Sequence, residues 1–90
     1  MFDVRYSSQF KKDLKRCKKR NYDLDELKYV VDKLRAPSIL EEKYRDHNLL
    51  GDQKNYRECH VKPDWLLLYR YEKDVLLLGR TGTHSDIFEV

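Results

Sequence analysis

Three strand candidates in the C-terminal half, residues 56–61, 65–71 and 75–80, are separated only by Lys62-Pro63-Asp64 and Glu72-Lys73-Asp74. This spacing constrains the fold more than any other feature. Connections of three residues are too short for a parallel crossover, so the segments are predicted to be antiparallel strands. Pro63 falls in a turn, where no ladder donor is needed. Leu66, Leu67 and Leu68 are consecutive, as are Val75, Leu76, Leu77 and Leu78. A strand with one wet face alternates apolar and polar residues, whereas an unbroken apolar run predicts cover on both faces.

The first third of the chain can supply that cover. Phe2, Val4 and Tyr6 alternate with Asp3 and Arg5, the period of a half-buried opening strand. Ser7 and Ser8 offer N-cap oxygens, and Phe10, Leu14 and Cys17 then recur at helical spacing, predicting a helix that ends near Arg20 or Asn21. Asp23 with Glu26 resembles a capping box before Leu24, Leu27, Val30, Val31 and Leu34, and Ala36-Pro37 stops this second helix. So short a connection makes the two helices an antiparallel hairpin. The expectation is an α+β chain in β-α-α-β-β-β order, a helical hairpin packed on a mainly antiparallel sheet, with an irregular stretch over 37–55. Ninety residues leave room for one domain spanning 1–90, and a domain of that size hides only about 60–65% of its unfolded surface, too little for a deep ligand cavity. Repeats, low-complexity segments and linkers are absent from the sequence.

The net charge of +3 tilts the chain toward anionic partners. Its distribution says more: Lys11, Lys12, Lys15, Arg16, Lys18, Lys19 and Arg20 crowd one stretch, relieved by Asp13. A solvated helix face explains such a run as well as an RNA-docking face does. Cys17 and Cys59 lie outside any CxxC spacing and read as free buried thiols, which fits a reducing cytoplasm. No apolar run approaches the roughly 20 residues of a membrane span, and the N-terminus does not read as a signal peptide.

His47, His60 and His84 each fall at or beside a strand end or loop, where a rigid scaffold displays reactive groups. Imidazole serves as acid or base at cellular pH. RNA offers the matching reaction, in which its 2'-hydroxyl attacks the adjacent phosphorus while one group takes that proton and another protonates the departing 5'-oxygen. Neither a metal nor a cofactor is required. Arg80, Lys54 and Arg57 are candidates for stabilising charge on the phosphorane. Trp65 and Phe88 could stack bases of single-stranded RNA, although Trp65 would serve equally as core and Phe88 as an anchor for the tail. Asp64, beside Pro63, reads equally as a turn residue. A zinc set of His47, His60, His84 and Asp64 or Cys59 lacks paired short spacings.

These residues also resemble a known family. Tyr44-Arg45-Asp46-His47, Leu50-Gly51, the run from Tyr56 through Cys59-His60-Val61-Lys62-Pro63-Asp64-Trp65 to Tyr69, and Arg80-Thr81-Gly82-Thr83-His84-Ser85 are similar to the pattern of the YafQ-like mRNA interferases of the RelE/ParE superfamily. The similarity runs through essentially the whole chain, its specificity residing in the C-terminal half. It implies a RelE-like microbial RNase fold and a toxin of a type II toxin–antitoxin pair that cuts mRNA in the ribosomal A site. It further implies a cognate antitoxin, commonly in a heterotetramer. His47, His60, Asp64 and His84 match the family's catalytic set, and Trp65 and Phe88 match residues of the same site. His47 and His84 are expected to exchange protons, with His60 and Asp64 orienting them or binding phosphate, and the two roles interchange without conflict with the sequence. Asn48 stands where proline would be expected after the histidine. Two other classes remain in view: a ParE-like gyrase inhibitor, which would need no acid–base residues, and a non-catalytic RNA-binding or antitoxin-sequestering module.

Overall fold

A computed structural model describes residues 1–36, 38–49 and 55–88. Strand β1 (Asp3–Tyr6) leads into helices α1 (Ser8–Lys19) and α2 (Leu24–Arg35). A single 3-10 turn (Glu42–Tyr44) precedes β2 (His47–Asn48), and β3 (Arg57–Lys62), β4 (Trp65–Glu72), β5 (Val75–Gly82) and α3 (His84–Phe88) complete the order. The meander and the helical hairpin match the sequence expectation. Two short elements, β2 and α3, were not anticipated. The two-residue β2 and five-residue α3 are too brief to show a hydrophobic period.

Local chemistry explains the helix boundaries. The Ser7 hydroxyl accepts the Phe10 N–H at 2.9 Å, and Asp23 accepts the N–H groups of Asp25 and Glu26. The second half of the expected capping box is diverted: Glu26 accepts the Tyr44 hydroxyl at 2.9 Å and ties α2 to the 3-10 turn.

Among the described residues the sheet has five strands in the order β1-β5-β4-β3-β2. The β3–β4 and β4–β5 pairs are the antiparallel meander, β2 adds antiparallel to β3, and β1 joins β5 in parallel after the helical crossover. The consecutive leucines divide between two cores. Leu67 and Tyr69 join Phe10, Cys17, Val30 and Leu34 beneath the hairpin, whereas Leu66 and Leu68 pack with Ile87 on the opposite face, flanked by Leu49, Tyr56 and Phe88. At about 25 cal/mol per Å² of apolar surface removed from water, the larger helix-covered cluster supplies most of the folding drive. The opposite face is thinly covered, and that face carries the chemistry described next.

Candidate active site

Side chains alternate along a strand, so Cys59 and Val61 of β3 enter the helix-covered core while Glu58 and His60 point to the other face. His47 lies directly opposite Glu58 across the β2–β3 pair, which places it on the same face. A register shift between His60 and Lys62 marks a bulge at the end of β3, a device that re-aims side chains beside functional sites. The third histidine enters from α3, which follows β5 after one residue.

The three rings converge. The centroid of His60 lies 6.1 Å from that of His47 and 5.8 Å from that of His84. His60 is buried, with its side chain 9% exposed, whereas the flanking His47 and His84 side chains are 48% and 45% exposed. A buried ring thus sits beside two accessible ones on a shallow face.

Each ring is oriented through its Nδ1. His47 Nδ1 lies 2.6 Å from the Arg45 carbonyl and His60 Nδ1 lies 3.2 Å from the Pro63 carbonyl. A carbonyl only accepts, so both rings carry a proton on Nδ1 and turn Nε2 toward the site. His84 Nδ1 contacts Asp64 Oδ1 at 2.5 Å, and the same oxygen accepts the His84 backbone N–H at 3.0 Å. His84 holds the Asp64 carboxyl below the usual carboxylate range, and the two contacts fix the carboxylate beside the ring.

Sequence reasoning missed Glu58. Its side chain is 7% exposed, and Oε1 sits 3.4 Å from His47 Nε2 and 3.2 Å from His60 Nε2. A bare imidazole nitrogen facing a carboxylate sets lone pair against lone pair, so the arrangement calls for a proton or a cation between them. The signal was available: Glu58 is two residues before His60 on a strand, hence on its face. These three donor atoms all lie within 4.8 Å of one another, a spacing and an N/N/O chemistry that fit a divalent cation such as zinc or copper(II) with positions left open.

Other candidates lie elsewhere. Arg57 points away from the histidine face: it donates to Asp46 at 3.2 Å, to Asn48 Oδ1 at 2.6 Å and to the Tyr69 hydroxyl at 3.3 Å. It therefore ties the loop before His47 to β3 rather than offering a phosphate ligand, and the Asn48 side chain is held by the same guanidinium. Arg80 is likewise committed, with Nε 2.8 Å from Asp13 Oδ2 and Nη2 donating to the Asp86 carbonyl at 3.2 Å. Trp65 is 3% exposed, packed on Tyr22 and bonded through Nε1 to Thr81 Oγ1 at 2.8 Å. An indole so enclosed has no open face for a base, which corrects the stacking expectation in favour of core. Phe88 is half-buried over the Leu66–Leu68 patch. Lys54 lies outside the described residues, as does Leu50-Gly51.

Comparison with known proteins identifies the family. The family model described as bacterial toxin of type II toxin-antitoxin system, YafQ, matches residues 2–89. The chain belongs to the YafQ toxin family. Among YafQ relatives, the mRNA interferase toxin YafQ of Escherichia coli K12 is 42% identical over 87 residues, 96% of this chain and 95% of that protein. YafQ from the E. coli DinJ-YafQ complex superposes with a TM-score of 0.88 at 42% identity, covering 98% of this chain and 99% of that one. A metal-bound toxin from Helicobacter pylori gives a TM-score of 0.92 at 44% identity, covering 98% and 100%. The α+β architecture is therefore that of the YafQ toxins.

Proposed function

We propose that this chain is an mRNA interferase, the toxin of a type II toxin–antitoxin pair, and that it cuts RNA at the histidine row by acid–base catalysis. The observation that carries this reading is the accessible His47 and His84 on a face whose buried His60 is in ring contact with both. A scissile phosphate seated over His60 has an imidazole available to each of the two oxygens whose protons must move. His84, aligned by Asp64, takes the 2'-hydroxyl proton as that oxygen bonds to phosphorus. The bond to the 5'-oxygen breaks, and His47 delivers a proton to it. The products are a 2',3'-cyclic phosphate and a 5'-hydroxyl. Two such proton transfers each contribute about 10²–10⁴-fold. His60, central in the row, stabilises charge on the phosphorane oxygens, and Phe88 stacks a neighbouring base. A divalent cation held by His47, Glu58 and His60 would supply Lewis acidity at a phosphate oxygen, while the steps written here use these side chains alone.

The partners follow from the family. The E. coli relative is seen with DinJ, and we assign this chain a cognate antitoxin, two copies of each in the neutralised complex. Its substrate is mRNA in the ribosomal A site, with the lysines of α1 docking on ribosomal RNA phosphates, an interaction that falls steeply with salt. No described helix is long and apolar enough to cross a membrane, and ribosome engagement places the toxin in the cytoplasm.

An RNA in which sulfur replaces the bridging 5'-oxygen tests the proton assignments, because a thiolate leaves without an acid. This substrate is expected to restore cleavage by His47→Ala and not by His84→Ala. Restoration of the reverse pair exchanges the two roles. Cleavage of ordinary RNA at the wild-type rate by the doubly substituted protein rejects the nuclease site.

A further inference from the structure

Five residues are too few for a helix to stand alone, because nucleation costs more than one turn of hydrogen bonds returns. Yet α3 holds His84 and Phe88 in defined places. Part of the explanation is a reciprocal cap: Thr83 Oγ1 accepts the Asp86 N–H at 3.0 Å, and Asp86 Oδ2 accepts the Thr83 N–H at 2.9 Å. Arg80 and Asp64 add backbone bonds, to the Asp86 carbonyl and from the His84 N–H, and the C-terminal end of α1 adds a side-chain hold. Arg20 reaches across to the Asp86 carboxylate with two donors, at 2.6 Å and 3.2 Å, and Arg16 Nη1 lies 3.5 Å from Asp86 Oδ1. Space is tight as well, since a Cβ built on Gly82 would come within 2.9 Å of Asp86 Oδ2.

We propose that Arg20 is a positioning residue of the ribonuclease site, setting through its two-point grip on Asp86 the angle at which α3 presents His84 to His60. The proposal rests on the catalytic role assigned to His84. Arg20 belongs to the basic stretch of α1, where an RNA-phosphate contact would be the ordinary assignment, and the two roles predict opposite behaviour of Asp86. A positioning pair is broken equally from either end. A phosphate-binding Arg20 would instead be released for RNA when Asp86 loses its charge. The amide oxygen of Asp86→Asn remains an acceptor for the Thr83 N–H, so this substitution removes the ion pair while weakening the cap less than alanine would.

The test is steady-state mRNA cleavage on programmed ribosomes by the purified toxin and its variants, together with the NMR signals of the His84 ring in the free protein. Arg20→Ala and Asp86→Asn should each lower kcat about tenfold with KM little changed, as expected when a reacting group is misplaced rather than substrate binding lost. Arg20→Lys should recover part of the rate. The His84 signals should move in both single variants while those of His47 stay in place. A raised KM with unchanged kcat in Arg20→Ala, accompanied by tighter RNA binding in Asp86→Asn, overturns the proposal in favour of an RNA contact. Unmoved His84 signals overturn it whatever the rate. Moved signals with an unchanged rate would instead remove His84 from the catalytic set, and the proposal with it.

Discussion

The two faces of the sheet handle polar groups in opposite ways, and β3 shows both within a few residues. Beneath the helices the fully buried Asp13 and Thr81 are closed by partners. Asp13, 0% exposed, accepts from Arg80 Nε at 2.8 Å, from the Thr81 N–H at 3.1 Å and from Gln9 at 3.0 Å. It occupies the stretch of β5 edge that β1 leaves unpaired beyond Leu78. Trp65 and Thr81 close each other in the same way. On the opposite face Glu58 and the imidazole Nε2 atoms confront one another with valences that only a proton or cation completes. The lesson is that buried polarity holds a structure together where it is satisfied within the protein, and becomes reactive where satisfaction is left to something that can leave.

That contrast is broken most forcefully by substitution on each face. His84→Ala should reduce cleavage by about 10²–10⁴-fold while the thermal midpoint moves by no more than a few degrees, the ring being 45% exposed. Asp13→Ala should do the reverse. Removing one partner of a buried ion pair costs about 3–5 kcal/mol, to be read as a fall in the urea midpoint, while activity per folded molecule changes little. Loss of folding in His84→Ala, or an unaltered urea midpoint in Asp13→Ala, would erase the division between the faces.

What the sequence revealed follows the same division. Regular period carries information, so the helix-covered core was legible: Phe10, Cys17, Leu27, Val30 and Leu34 fall where helical spacing puts them. Asp13 could have been read as well, since it lies three residues after Phe10 and four before Cys17, on the inward stripe of α1 and not among the lysines beside it. The three histidines and Asp64 were singled out by chemistry and resemblance, and the fold gathers them. The arginines were misjudged because a positive charge in sequence says nothing of which carboxylate it will meet. Arg57 and Arg80 are held by Asp46 and Asp13, residues 11 and 67 positions away. Trp65 failed as a platform because its strand is covered on the side its indole faces.

Glu58→Gln sharpens the comparison on the histidine face. The amide keeps the shape of the side chain but loses the negative charge that faces the Nε2 atoms of His47 and His60. A hydrogen bond to a charged group is worth about 1.5–3 kcal/mol, so cleavage should fall roughly ten- to hundredfold, measured as kcat under saturating substrate. Binding of Zn²⁺ by the free protein, followed by calorimetry, should weaken in the same variant. Wild-type turnover in Glu58→Gln would make the carboxylate a structural bystander and return the site to the three rings alone.

The smallest effect concerns Asp86, which joins the two faces. Arg20 holds its carboxyl well below the usual carboxylate range, outweighing the opposing effect of burial. A carboxyl depressed in the folded state stabilises the fold above its unfolded value, near pH 4, and that contribution disappears as the pH falls through the lower folded value. Wild-type protein should therefore melt above Asp86→Asn at neutral pH, with the gap narrowing below about pH 4. Arg20 is 38% exposed, so the pair is screened by solvent and worth at most about 1 kcal/mol, a few degrees in a domain of this size. A gap independent of pH would place the contribution of Asp86 in its cap on Thr83, which asparagine imitates imperfectly, rather than in its charge. The hold on α3 would then be steric and local, through the close approach of Asp86 to Gly82 at the end of β5.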